Sequence, residues 1–183
     1  MGTFSIEGGH KLKGSIYPQG AKNEALQVIC AALLTKDEVI INNIPEIIDV
    51  INLIDLLSSL GVKVSRISKN KYSFKSDNIN LNFLLSKSFK EKGSGLRGSI
   101  MIIGPLLTRF GKAYIPRPGG DKIGRRRLDT HFLGLIELGA NFKYDREEHF
   151  YGVEAKKLKG KKILLDQASV TGTANIIMAA VLA

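Results

Sequence analysis

Apolar positions recur along the chain in an order that repeats. From Ala21 to Thr35 they fall at helical spacing, with Leu26, Ile29, Cys30, Leu33 and Leu34 on one side. Val39-Ile40-Ile41 is a short β-branched run ending near Pro45, which predicts a strand. Asp49 to Leu60 is again helical, with Val50, Leu53, Ile54, Leu57 and Leu60 in phase and Gly61 as its stop. Val62–Ser65 and Lys71–Phe74 then alternate as a hairpin. The unit reads helix, strand, helix, strand, strand.

The same order returns. Leu96 to Arg109 predicts a helix, Lys112 to Pro116 a strand, Arg127 to Leu138 a helix closed by Gly139, and Ala140–Tyr144 with His149–Val153 another alternating pair. Leu-Leu-Thr ends at Thr35 and again at Thr108, and the stops Gly61 and Gly139 fall in step, so the repeat is roughly 75 residues. Ser169 to Ala183 matches the opening helix a third time, with Ala183 where Thr108 would stand. A helix with an apolar face and no following strand reads as a fragment, cut within its third repeat. Helices apolar on several sides, mixed with strands, predict an α/β (α+β) fold with sheets covering helices. Ser68–Asn70 and Asn78–Asn82 read as loops, and Lys157 to Lys162 as a solvated turn.

Composition narrows the class. The 183 residues are 44% hydrophobic and 24% charged, a globular profile rather than a disordered one. A single cysteine excludes an intramolecular disulfide and a zinc knuckle, and fits a reducing compartment. The first residues carry no signal-peptide core, and no apolar run approaches the ~20 residues of a membrane span. The expectation is a cytoplasmic protein without a membrane partner.

Charge changes the picture more. The net charge is +10, and the excess is concentrated: Arg109, Lys112, Arg117, Lys122, Arg125, Arg126 and Arg127 lie in one stretch with Asp121 as its only acid. That points to an anion, either nucleic acid or a phosphorylated metabolite. Interleaved aromatics for base stacking are missing around Arg125 to Arg127, which weighs against nucleic acid. Gly20-Ala21-Lys22-Asn23 feeds a helix N-terminus, where amide groups and the helix dipole favour an anion. Gly93 to Ser99 is the equivalent start in the second copy, with Arg97 projecting from it. The Gly119-Gly120-Asp121 loop reads as a lid carrying either a surface ion pair or a general acid. Cys30 sits in an apolar helix face as a packed small hydrophobe. His10, His131 and His149 have no metal-ligand spacing, so neither metal nor cofactor is expected. His131 either lines the site or is structural.

Four stretches together carry a resemblance: GAKNEAL (20–26), SGLRGSIMIIGPLLTRFGKA (94–113), PGGDKIGRRRLDTHFLGLIELGA (118–140) and SVTGTANIIMAA (169–180). In order, over nearly the whole chain, they resemble the UDP-N-acetylglucosamine enolpyruvyl transferase family. The resemblance implies an inside-out α/β barrel of the enolpyruvyl transferase type, built from repeated units in two domains. It implies transfer of the enolpyruvyl group of phosphoenolpyruvate to the sugar 3-hydroxyl, the first committed step of peptidoglycan precursor synthesis. Lys22, Asn23, Arg97 and Arg126 match the phosphoenolpyruvate contacts. Arg97 and Arg126, with Arg127, Leu128, Asp129 and Thr130, and Gln167, Ala168, Ser169 and Val170, match those to UDP-N-acetylglucosamine. Arg127 replaces a more familiar Pro, and Gln167 a frequent Lys.

The main departure is at the loop tip. Most members resemble Pro-Gly-Gly-Cys there, with the thiol as proton donor and as the target of the epoxide antibiotic fosfomycin. This chain has Asp121, implying a carboxylic acid as donor and insensitivity to the epoxide. Residues 1–21 resemble a strand of the second domain, most of which is absent, and residues 22–183 the first catalytic domain; such a fragment is expected to turn over little or nothing. The sister transferase acting on shikimate phosphate is a rival reading, set back because it does not usually carry Gly-Ala-Lys-Asn or Pro-Gly-Gly-Asp.

Overall fold

A computed structural model describes residues 2–119 and 127–183, and its strand order carries the duplication. In the first unit, helix α1 (Lys22–Ala31) runs into a 3-10 turn at Ala32–Leu34, followed by β1 (Glu38–Ile41), α2 (Ile48–Ser59), β2 (Lys63–Ser68) and β3 (Lys71–Lys75). A 3-10 turn at Leu81–Leu85 and helix α3 (Lys87–Ser94) lead to the second unit. There a 3-10 turn (Arg97–Ile102) precedes α4 (Ile103–Phe110), β4 (Lys112–Pro116), α5 (Asp129–Glu137), β5 (Asn141–Asp145) and β6 (Phe150–Glu154). Helix α6 (Val170–Ala180) opens the third. Each unit folds its strands into a three-stranded antiparallel sheet with the last strand in the middle, β1-β3-β2 and β4-β6-β5. Two sheets of identical order from sequence steps of similar length are what a duplicated unit produces.

Helices form the interior and sheets lie outside them. Ile29, Cys30 and Leu33 of the first copy, and Ile103, Leu106 and Leu107 of the second, are buried in one continuous core with Ala179 of α6. α4 packs on α6, on β4 and on the 3-10 turn that ends α1. A helix apolar on several sides cannot tolerate water on any of them, so sheets and neighbouring helices must surround it. The described residues do not close a full barrel. Gly61 and Gly139 terminate α2 and α5 at φ values of 107° and 100°, the left-handed region where a side chain is strained. None of the helices among the described residues is long and apolar enough to cross a membrane.

Three features depart from the sequence reading. Leu96 to Arg109 is not one continuous helix: it opens as a 3-10 turn because Ser99 folds its hydroxyl back onto the carbonyls of Gly93 and Leu96, at 2.9 and 2.6 Å. Gly93 and Ser94, expected to start that helix, instead form the last turn of α3, a helix the apolar pattern did not announce. Only Phe89 and Gly93 of its eight residues are buried, too few to generate a period, and its N-cap is Ser86, whose Oγ accepts from the Phe89 amide at 3.1 Å. Arg109, counted among the anion-seeking cations, is spent inside the fold. Its guanidinium donates to the carbonyls of Leu33, Thr35 and Ser76 at 2.8, 3.0 and 2.7 Å.

The close approach of α4 to α6 depends on a missing side chain. A Cβ placed on Gly104 would meet the Asn175 carbonyl oxygen at 2.3 Å. Gly104→Ala should therefore lower unfolding free energy by about 1–3 kcal/mol. Gly160→Ala, where a Cβ meets nothing within 4 Å, should leave it unchanged. Urea unfolding of both variants tests this.

Candidate active site

One open cleft of about 550 Å³ gathers side chains from all three copies of the opening helix. Lys22, Asn23, Leu26 and Gln27 come from α1, Arg97, Gly98, Ile100 and Met101 from the 3-10 turn of the second unit, and Thr171 from the first turn of α6. Arg127 and Leu128 line it from the approach to α5, His131 from the first turn of that helix, and Gln167 and Ser169 from the approach to α6. Corresponding helix starts in duplicated units face one another because the helices pack together at that end.

The charges in the cleft are partnered differently. Lys22 Nζ donates to Asp49 Oδ2 at 2.8 Å, and both side chains are over a third exposed. Asp49 sits in the first turn of α2, so the carboxylate holds the ammonium at the cleft rim without removing it from solvent. Arg97 is half-buried. Arg127 is more committed: its Nε donates to Asp129 Oδ2 at 2.7 Å, and a terminal nitrogen lies 3.3 Å from Asp166 Oδ2. The bond to Asp129, then that residue's charge, pushes the guanidinium pKa above its ordinary value. Asp166 also accepts from the Thr130 hydroxyl at 2.8 Å, which ties the segment entering α5 to the one entering α6.

His131 is buried at the back of this cleft. Burial, and then the positive charge of Arg97, depress its pKa from 6.5 to about 4. Its ring contacts Asn175 Nδ2 at 3.1 Å and Thr171 Oγ1 at 3.3 Å. The imidazole is neutral at physiological pH, which suits hydrogen bonding and not phosphate neutralisation.

Among the residues matched to the two substrates, Lys22, Asn23, Arg97, Arg127, Leu128, Gln167 and Ser169 line the cleft. Thr130 is buried behind it against Asp166, and Asp129 faces a shallow recess shared with Phe132, Phe142 and Tyr151. Ala168 and Val170 are exposed and do not line the cleft. Asp121 and Arg126, with Lys122 and Arg125, lie outside the described residues. The last described residue before them is held in place: the Gly119 amide donates to the Ser94 carbonyl at 2.7 Å, where a Cβ would come within 2.1 Å of that oxygen. Cys30 is fully buried, and desolvation drives its thiol pKa far up, so it is an inert packing group. No group of three or more metal-ligating side chains occurs among the described residues.

Sequence reasoning passed over Asp49, Asp166 and Thr171. Asp49 carried a signal, an acid in a helix first turn, but one that also serves the helix dipole alone. Asp166 and Thr171 carried none, because their roles arise from contacts between units.

The neutral state of His131 has a measurable consequence. Its folded pKa lies below the unfolded value, so the unfolded chain binds more protons as pH falls from 6.5 towards 4, and stability falls with it. The loss approaches about 3 kcal/mol at the acid end. His131→Gln should flatten this part of the stability–pH profile, measured by denaturant unfolding.

Comparison with known proteins matches residues 6–183 to the family model described as EPSP synthase (3-phosphoshikimate 1-carboxyvinyltransferase). The whole chain is 61% identical to UDP-N-acetylglucosamine 1-carboxyvinyltransferase of Bacteroides fragilis, 57% to that of Porphyromonas gingivalis and 45% to that of Treponema denticola. It spans only 42% of the first two proteins and 41% of the third. Among solved structures, EPSP synthase of Acinetobacter baumannii superposes with a TM-score of 0.66 at 15% identity, over 91% of this chain and 37% of that one. The enolpyruvyl transferase NikO of Streptomyces tendae gives 0.64 at 16%, over 82% and 32%. Duplicated units, paired sheets and sequence match therefore agree that this chain belongs to the EPSP synthase family of carboxyvinyltransferases, among relatives named UDP-N-acetylglucosamine 1-carboxyvinyltransferase.

Proposed function

We propose that the protein transfers the enolpyruvyl group of phosphoenolpyruvate to the 3-hydroxyl of UDP-N-acetylglucosamine and releases phosphate. The observation that carries this reading is the convergence of Lys22 and Asn23 from one unit, Arg97 from the next and Gln167 and Ser169 from the third on one cleft. A small anion with both a phosphate and a carboxylate, such as phosphoenolpyruvate, needs cations that approach from more than one side, and separate backbone turns supply them. The spread of the lining residues towards Arg127, Leu128 and Gln167 leaves room for a second, longer substrate.

The chemistry assigns the remaining role. Replacing the phosphate on an enol carbon by a sugar oxygen proceeds by addition and then elimination. The hydroxyl oxygen bonds to the phosphate-bearing carbon while a proton is delivered to the methylene carbon; phosphate then leaves and a methyl proton is lost, restoring the double bond. Asp121, two residues after Gly119 in the sequence, is the proton donor in this reading. Neighbouring cations hold a carboxylate ionised. Bound phosphate neutralises them, and closure of the loop desolvates the carboxyl group, which raises its pKa towards the value a general acid requires.

Residues 2–20 support the expected division of the chain. Phe4, Leu12 and Ile16 are 93%, 99% and 93% exposed, a poor arrangement for apolar side chains unless another domain covers them. In this reading residues 1–21 belong to a second domain that also supplies the base for the sugar hydroxyl, and residues 22–183 form the substrate half described above.

The test is phosphate release by the intact protein with both substrates present. Turnover should require both, and Asp121→Asn should lower kcat by at least two orders of magnitude. Full turnover by that variant would reject Asp121 as the donor. Fosfomycin should leave turnover unchanged and add no mass, because the only thiol among these 183 residues, Cys30, is buried. A covalent adduct detected by mass spectrometry would contradict this.

A further inference from the structure

Asn175 is completely buried within α6, and its neighbours fix which end of its amide is which. The Gly104 amide can only donate, and it meets Oδ1 at 2.8 Å. The Ile100 carbonyl can only accept, and it takes Nδ2 at 3.0 Å. The second Nδ2 hydrogen faces His131 Nδ1 at 3.1 Å, so that ring nitrogen must present its lone pair. The proton of the neutral imidazole then sits on Nε2, which lies 3.3 Å from Thr171 Oγ1. Nε2–H donates and the Thr171 oxygen accepts. The hydrogen of Thr171's own hydroxyl is left over, and the side chain is exposed on the cleft it shares with Lys22 and Arg97.

We propose that this one-way chain of donors, Asn175 to His131 to Thr171, presents the Thr171 hydroxyl as an oriented hydrogen-bond donor to an oxygen of the sugar nucleotide. The inference rests on the substrate reading given above. Asn175 and His131 are positioning residues; of the three, Thr171 alone touches the substrate. The sugar nucleotide is favoured over phosphoenolpyruvate because Thr171 follows directly on Gln167 and Ser169 at the α6 end of the cleft, whereas Lys22 and Asn23 stand on α1. Arg97 from the 3-10 turn is the charge that acts on the ring, and Lys22, Asp49 and Arg127 line the same cleft. Among so many cations a protonated imidazole would be repelled, and a neutral donor adds a hydrogen bond without adding charge. Packing holds the relay in place before substrate arrives, so little conformational freedom is lost when the hydroxyl is used.

Two measurements on the intact protein test this. Calorimetric titration with UDP-N-acetylglucosamine should show Thr171→Val binding about tenfold more weakly, with Thr171→Ser within about twofold of the parent. His131→Phe should fall with Thr171→Val. Ring-nitrogen NMR of histidine-labelled protein near neutral pH should find Nε2 protonated and Nδ1 bare at His131, and Asn175→Ala should allow both tautomers. Unchanged affinity in Thr171→Val, a loss confined to phosphoenolpyruvate, or a proton on Nδ1 in the parent overturns the proposal. Failure of the parent protein itself to bind UDP-N-acetylglucosamine overturns the substrate reading and this assignment with it, while the nitrogen spectra still report the direction of the relay.

Discussion

Close contact between α4 and α6, sealed by a single buried amide, is the constraint on which the arrangement of the cleft depends. Gly104 removes the side chain that would hold the helices apart, and Asn175 fills the gap with hydrogen bonds to the Gly104 amide and the Ile100 carbonyl. A polar group in so apolar a core is tolerated only because every partner it needs is there. The same contact brings the start of α6 beside the turn that carries Arg97, and both beside His131. Widening it would separate the second and third units at the end where the cleft-lining residues meet.

The cleft's electrostatics follow from this packing, not from the chain's overall charge. Of the basic side chains crowded between Arg109 and Arg127, Arg109 is consumed by carbonyl groups and Arg127 by two carboxylates. Lys22, held by Asp49 at the rim, and Arg127 both remain accessible to solvent. The cations that line the cleft come from different units, and their convergence is a property of the duplication.

Much of this was legible in the sequence, for reasons that differ by feature. The helical spacing in α1 and α2, the glycine stops and the alternating hairpins are local signals, and the strands and helices they announced are present. The similar steps between Thr35 and Thr108 and between Gly61 and Gly139 argued for a duplicated unit, and the two sheets share one strand order. Helix α3 escaped because two buried residues cannot make a periodic pattern. The 3-10 opening of the second unit escaped because it depends on which carbonyls the Ser99 hydroxyl reaches. The fates of Arg109 and Asp166 could not be read at all, since each is decided by residues dozens of positions away, and Arg127, close to Asp129 in the sequence, gave no sign of its second partner, Asp166.

The guanidinium of Arg109 has a consequence for how the molecule comes apart. It belongs to the second unit, yet it caps carbonyls at the end of the first unit's opening helix and at the exit from its hairpin. Loss of the second unit leaves the carbonyls of Leu33, Thr35 and Ser76 without their donor, a penalty of about 1–3 kcal/mol for each, and loss of the first leaves the guanidinium without its acceptors. The two halves of the duplication, although alike enough to have once been separable, are therefore bound into a single cooperative transition.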